Sequence, residues 1–206
     1  MFRLKSCIDF VPWTGEQDYI SVVKADGCWS SVGKQRGRQE LSIGTGCDDI
    51  AIVEHELLHA LGIWHEQSRT DRDNYVTIQW LNIEEGKEYN FKKNTLQESD
   101  SLNVPYDNLS LMHYSSKAFQ KAPGLNTIIP KDPHFMDIIG QRLDISELDR
   151  VQLNRMYRCS ELLKTLYVHH VKSCCRSLLS YPLVVPCAFI LSKSLFFSQC
   201  FILLIS

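Results

Sequence analysis

The stretch His55-Glu56-Leu57-Leu58-His59-Ala60-Leu61-Gly62-Ile63-Trp64-His65-Glu66 gathers imidazoles and carboxylates within a dozen positions. On an α-helix, residues four apart are separated by about 40° around the axis and about 6 Å along it. His55 and His59 therefore point the same way and can share one metal ion. Glu56, about 60° from His59 on the same side, can reach a water on that ion without ligating it. If the helix ran on, His65 would lie about 9 Å beyond His59 and roughly 120° around the axis, too far to share the ion. The chain must turn back, and Gly62 permits the turn because glycine tolerates positive φ. Three neutral imidazoles leave one position of a zinc ion open for water, which is a catalytic and not a closed structural arrangement. Zinc lowers the pKa of such a water from about 16 to about 7. With Glu56 as proton acceptor, the predicted chemistry is attack of hydroxide on a polarised carbonyl and passage of the proton to a leaving amine, without a covalent intermediate. His113, His134, His169 and His170 lack this spacing and read as ordinary core or surface histidines, and Trp64 and Trp80 as packing residues.

The elements that must hold these residues can be placed coarsely. Cys7 to Val11 and Tyr19 to Val23 alternate or cluster apolar residues as short strands do, on either side of the turn-like Pro12-Trp13-Thr14-Gly15. Asp26-Gly27 and Gly33 mark a loop, and Glu40 to Ile43 fits another strand. After Gly44-Thr45-Gly46, Asp48 or Asp49 offers an N-cap for the helix bearing His55 and His59. That helix is expected to run to about Leu61 and end at Gly62 in a left-handed cap. Residues 71–110 are mixed and turn-rich towards Pro105. Ser146 is placed to cap a second helix, with Leu148, Val151, Leu153 and Met156 as an apolar stripe up to Cys159.

The 206 residues suit one domain, or one domain with an appendage, and the net charge of -2 comes with no basic stripe, which excludes a nucleic-acid partner. None of the eight cysteines forms a C-x-x-C pair, so zinc-ribbon spacing is absent. Cys7, Cys28, Cys47 and Cys159 are scattered as disulfide partners would be, which implies an oxidising compartment. The sequon Asn108-Leu109-Ser110 fits that compartment. Met1 to Ser6 carries no signal-peptide pattern, so the true beginning is expected upstream. Composition changes after Ser160, where Glu161 is the only acid. Leu183 to Ser206 approaches membrane-spanning length, but Pro186 and Lys193 would be costly at a bilayer centre, and the membrane question stays open.

The motif H-E-x-x-H-x-x-G-x-x-H followed by a methionine turn, here Ser110-Leu111-Met112-His113-Tyr114, marks the metzincins. Glu66 directly after His65, the run Gln67 to Val76, Ile139 to Asp144 and Leu153 to Tyr157 resemble the astacin family, and its meprin branch most of all. The resemblance implies an α+β, zincin-like fold. A mixed sheet and the active-site helix form its upper part, and a loop-rich lower part carries a C-terminal helix. It further implies one zinc per subunit on His55, His59 and His65, with Glu56 and Tyr114 catalytic. Met112 would be an apolar floor beneath the zinc, and Gly62 and Glu66 supporting residues. The family's disulfides would be Cys7–Cys159 and Cys28–Cys47. Arg142 would favour acidic residues just after the scissile bond. The strand near Gln39 to Ile43 would be the edge that pairs with an extended protein or peptide substrate. Residues 1–159 are then a peptidase domain lacking its N-terminal part, and 160–206 an atypical apolar tail without a recognised domain. The expected function is zinc-dependent endopeptidase activity, extracellular or at the cell surface for the full-length protein. The alternative is a truncated, catalytically impaired zinc-binding remnant. In it, Glu66 would lose the ammonium group that partners it in the family.

Overall fold

A computed structural model describes residues 6–159 and the backbone of 200–205. Five strands form the main sheet: β1 (Ile8–Pro12), β2 (Tyr19–Val23), β3 (Cys28–Ser30), β4 (Arg38–Ile43) and β7 (Cys200–Ile205), in the order β1-β7-β2-β4-β3. β2 and β4 are parallel, whereas β3 runs antiparallel to β4 with Cys28 opposite Ile43. Helix α1 (Ile50–Ala60) packs on the sheet, where Ala60 meets Ile20 and Leu41. The lower part holds a two-stranded ribbon, β5 (Val76–Ile78) with β6 (Ile128–Pro130), and helix α2 (Glu147–Met156).

Two larger cores follow from this division. One joins Ile8, Leu58, Leu61 and Ile63 to Leu111, Met112 and Leu153, tying sheet, α1, the methionine turn and α2 together. The other lies in the lower part around Phe91, Val76, Ile128 and Tyr106. Disulfides link Cys7 to Cys159 and Cys28 to Cys47.

Both helices begin with local signals. The Asp49 side chain accepts from the Ala51 N–H at the start of α1, and Ser146 forms a capping box with Asp149 at the start of α2. The buried side of α2 is Asp149, Gln152 and Leu153, only partly the expected apolar stripe, because its N-terminal turn faces polar backbone and not a hydrophobic surface.

The structure corrects one expectation about strands. The stretch Gln39 to Ile43 is not the outermost strand, since β4 pairs with β2 over Arg38–Ser42 and with β3 over Leu41–Ile43, which leaves β3 at the edge. The stretch read as a loop folds back along β4. The Ser42 hydroxyl bonds to the Gly27 carbonyl (2.9 Å), and Gly44 runs so close to Ala25 that a Cβ there would sit 2.1 Å from its carbonyl oxygen. Phe201 and Ile202 come from the apolar tail that follows residue 159. Their backbone lies in β7, antiparallel to β1 with Val11 opposite Ile202, and β7 also pairs with β2. β1 and β2 do not pair with each other, so each presents an edge that an apolar strand satisfies. The rest of the segment considered for a membrane lies outside the described residues. Among the described residues, no helix is long and apolar enough to cross a membrane.

Candidate metal centre

Helix α1 ends in a Schellman motif. The Ile63 N–H bonds to the Leu58 carbonyl (3.0 Å) and the Gly62 N–H to the His59 carbonyl (2.8 Å), with Gly62 at φ 101°. The turn reverses the chain and brings His65 back over the helix. Nε2 of His65 then lies 3.3 Å from Nε2 of His55 and 3.1 Å from Nε2 of His59. These separations match the edge of a tetrahedron with Zn–N bonds of about 2.0–2.1 Å, which is roughly 3.3 Å.

Hydrogen bonding fixes what the nitrogens can do. Nδ1 of His55 contacts the Leu111 carbonyl (2.9 Å) and Nδ1 of His59 the Ile63 carbonyl (2.8 Å). A carbonyl only accepts, so both rings carry their proton on Nδ1 and present a bare Nε2 lone pair. Burial pushes the His55 pKa down to about 3, and the neighbouring His59 adds to the effect. His59 and His65 are lowered chiefly by burial as well. The three imidazoles bring their ring nitrogens within 4.8 Å of one another, close enough to hold one cation between them. The donor set is therefore right for zinc.

Glu56 sits beside them on α1, buried, and desolvation raises its pKa to about 7 against the opposing charge of Arg142. Tyr114 comes from the lower part, its ring 4.5 Å from that of His65, with the hydroxyl pKa pushed up to about 12 by burial. Met112 is fully buried in the first core, and its carbonyl accepts the Glu66 N–H (3.0 Å), which braces the residue next to His65. A cavity of about 250 Å³ adjoins the other side of the turn, lined by Gly62, Trp64, Glu98, Asp100, Arg155 and Arg158 and by none of the three histidines.

The family model for the astacin peptidases matches residues 1–158. The chain belongs to the astacin family. It is 60% identical over 163 residues to "Meprin A subunit beta" of Rattus norvegicus, covering 79% of this chain and 23% of that protein. It is 42% identical over 158 residues to "Zinc metalloproteinase nas-6" of Caenorhabditis elegans, covering 77% of this chain and 46% of that one. Among solved structures it resembles high choriolytic enzyme 1, a hatching enzyme zinc-protease from the medaka Oryzias latipes. That match has a TM-score of 0.73 and 47% identity, covering 77% of this chain and 78% of the other. The chain spans about a quarter of the length of the meprin relatives it matches.

Within this astacin fold, Glu66 is not left alone. It is buried, and its Oε1 accepts from Arg69 Nη1 (3.1 Å) and from the Asp107 N–H (2.8 Å). Burial still outweighs Arg69 and raises its pKa to about 8. The cation beside it is Arg69, which is anchored in turn by both oxygens of Asp71. Arg142 donates to the Leu111 carbonyl at 2.5 Å and acts electrostatically on Glu56, Tyr114 and the three histidines. His113 is a core residue, bonded to the Tyr106 hydroxyl at 2.7 Å. Sequence reasoning missed Gln67, whose Oε1 receives the Tyr114 N–H (3.0 Å). It also missed Asp149, whose only sequence signal is its place three residues after the Ser146 cap.

Proposed function

We propose that this chain carries the catalytic domain of a zinc-dependent endopeptidase acting on protein or peptide substrates. The convergence of three imidazole Nε2 atoms beside a buried carboxylate carries the reading. Zinc held by His55, His59 and His65 would polarise a peptide carbonyl and acidify a water molecule. Glu56, with a pKa near neutrality, takes the water's proton as its oxygen attacks the carbonyl carbon, and delivers it to the amine nitrogen as the C–N bond breaks. Tyr114 keeps its proton at neutral pH and can donate to the developing oxyanion.

The outer edge of β3 is the natural partner for an extended substrate backbone. Gly33, just past that strand, donates to the His59 carbonyl at 2.8 Å and so ties the edge to the metal helix. Arg142, a cation reaching the site from the lower part, favours an acidic residue just after the scissile bond. Two disulfides support an extracellular or cell-surface location. Buried, intact Glu56 and paired Glu66 do not favour the impaired remnant.

The test is incubation of the refolded, oxidised chain with an unfolded protein, with fragments identified by mass spectrometry. We expect internal cleavages that a chelator abolishes and added zinc restores. Cleavage that survives the chelator, or none with zinc present, contradicts the reading.

A further inference from the structure

An unbroken line of hydrogen bonds leads from His55 into the lower part. Nδ1–H of His55 donates to the Leu111 carbonyl (2.9 Å). The N–H of that same peptide group, on Met112, donates to the Ser110 hydroxyl (3.0 Å). With its lone pair used in that way, the Ser110 hydroxyl donates to Oδ1 of Asp149 (2.6 Å). Every step points the same way, from the ring to the carboxylate. The other oxygen of Asp149 accepts the N–H groups of Leu111 (2.8 Å) and Ser146 (3.1 Å). All three partners are donors, the pattern an ionised carboxylate requires, and they oppose the burial that pushes its pKa upward. Ser110 is fully buried and Asp149 is only 2% exposed, so water does not compete for these bonds.

We propose that Asp149 and Ser110 are positioning residues of the metal centre, forming a relay in which a buried carboxylate acts on His55 through a serine and one peptide group. Metal-ligating histidines commonly donate their second N–H directly to a carboxylate or carbonyl, which fixes the tautomer and raises ligand basicity. Here the carbonyl is that partner and the carboxylate stands two bonds behind it. The negative charge makes the Ser110 oxygen a stronger acceptor. That polarises the peptide and leaves more electron density on the Leu111 oxygen and on Nε2 of His55, and aligned bonds of this kind reinforce one another. The same anchor holds the turn whose Met112 carbonyl braces Glu66 beside His65. The Arg142 bond to the Leu111 carbonyl pulls on the same oxygen, so the relay also offsets that competing cation.

The bland reading is that Asp149 only caps α2. Three variants of the full chain separate the two. Ser110→Ala cuts the relay and leaves the helix cap whole. Asp149→Asn retains an acceptor for the two N–H groups but turns an amide N–H₂ towards Ser110. Ser146→Ala weakens the cap and leaves the relay intact. Zinc affinity is measured by competition with a chromophoric chelator, thermal stability by circular dichroism, and the ring-nitrogen shifts of His55 by ¹⁵N NMR on the metal-free protein.

We expect Ser110→Ala and Asp149→Asn each to weaken zinc binding about 10–100-fold. The double variant should fall no further than the worse single one, and both singles should shift the His55 nitrogens. Ser146→Ala should lose stability while keeping zinc affinity within about twofold. The proposal is overturned if the Ser110 and Asp149 variants weaken zinc no more than Ser146→Ala, or if their losses add in full. Should Asp149→Asn not fold, Ser110→Ala decides alone. The inference rests on the metal reading above. An unmodified chain that binds no zinc sinks both, whereas tight binding unaffected by Ser110→Ala sinks the relay only.

Discussion

At the scale of single residues, the centre combines groups with opposite responses to pH. Burial lowers the pKa of His55 to about 3 and of His113 to about 4, and lowers His59 and His65 as well, all from 6.5. Such groups contribute stability that is present above pH 6.5 and lost as pH falls towards the folded values. Glu56 and Glu66 are raised from 4.5 to about 7 and about 8. Their contribution is present below pH 4.5 and lost as pH rises through the folded values. Four histidines outweigh two carboxylates below pH 6.5 and only the carboxylates act above it. Metal-free protein should therefore be most stable near pH 6.5. Thermal melts in chelator across the pH range check this. Glu66→Gln should flatten the alkaline decline while the acid limb stays, and an unchanged alkaline limb would show that Glu66 is not its source.

At the scale of elements, the decisive piece is the end of α1. Gly62 holds φ 101°, and a Cβ there would meet Met156 Sδ at an ordinary 3.6 Å, so the penalty for a side chain is conformational and not steric. Gly62→Ala should lose about 1–2 kcal/mol and weaken zinc binding, because His65 depends on that turn. Gly124, also at positive φ (88°) but in open space, is the control: its alanine variant should lose stability and keep zinc affinity. Equal zinc affinity in the two variants would contradict the role given to the turn. This motif was legible in the sequence because all its parts are local: a capping aspartate, i and i+4 histidines, then a glycine and a histidine at fixed offsets. β3 was not legible, because three residues within a turn-rich stretch carry no periodicity, and only their pairing with β4 makes them a strand. Nor was the relay, whose members Ser110 and Asp149 are 39 positions apart and meet only through tertiary packing.

At the scale of the whole molecule, closure depends on links between distant parts. The Cys7–Cys159 disulfide spans a sequence separation of 152 and ties β1 to the end of α2, while Cys28–Cys47 spans 19. In the chain-entropy model these are worth about 5 and about 3 kcal/mol. Replacing both cysteines by serine, one pair at a time, should therefore destabilise the chain more for the long loop in chemical denaturation. The reverse order would mean that native-state effects dominate. The sheet order could not be read from composition either. An apolar run at the chain's end approaches membrane-spanning length, and the backbone of its last residues pairs with β1 and β2. Apolar content alone does not say which sheet edge a segment will pair with.

The most direct test of the account is the Glu56→Gln variant of the full chain, with zinc content measured by elemental analysis alongside cleavage of an unfolded protein. Glu56 is assigned to proton transfer and not to metal binding, so zinc should remain at one per chain while cleavage falls about 10²–10⁴-fold. Zinc and activity falling by the same factor, or activity persisting with zinc in place, would contradict it.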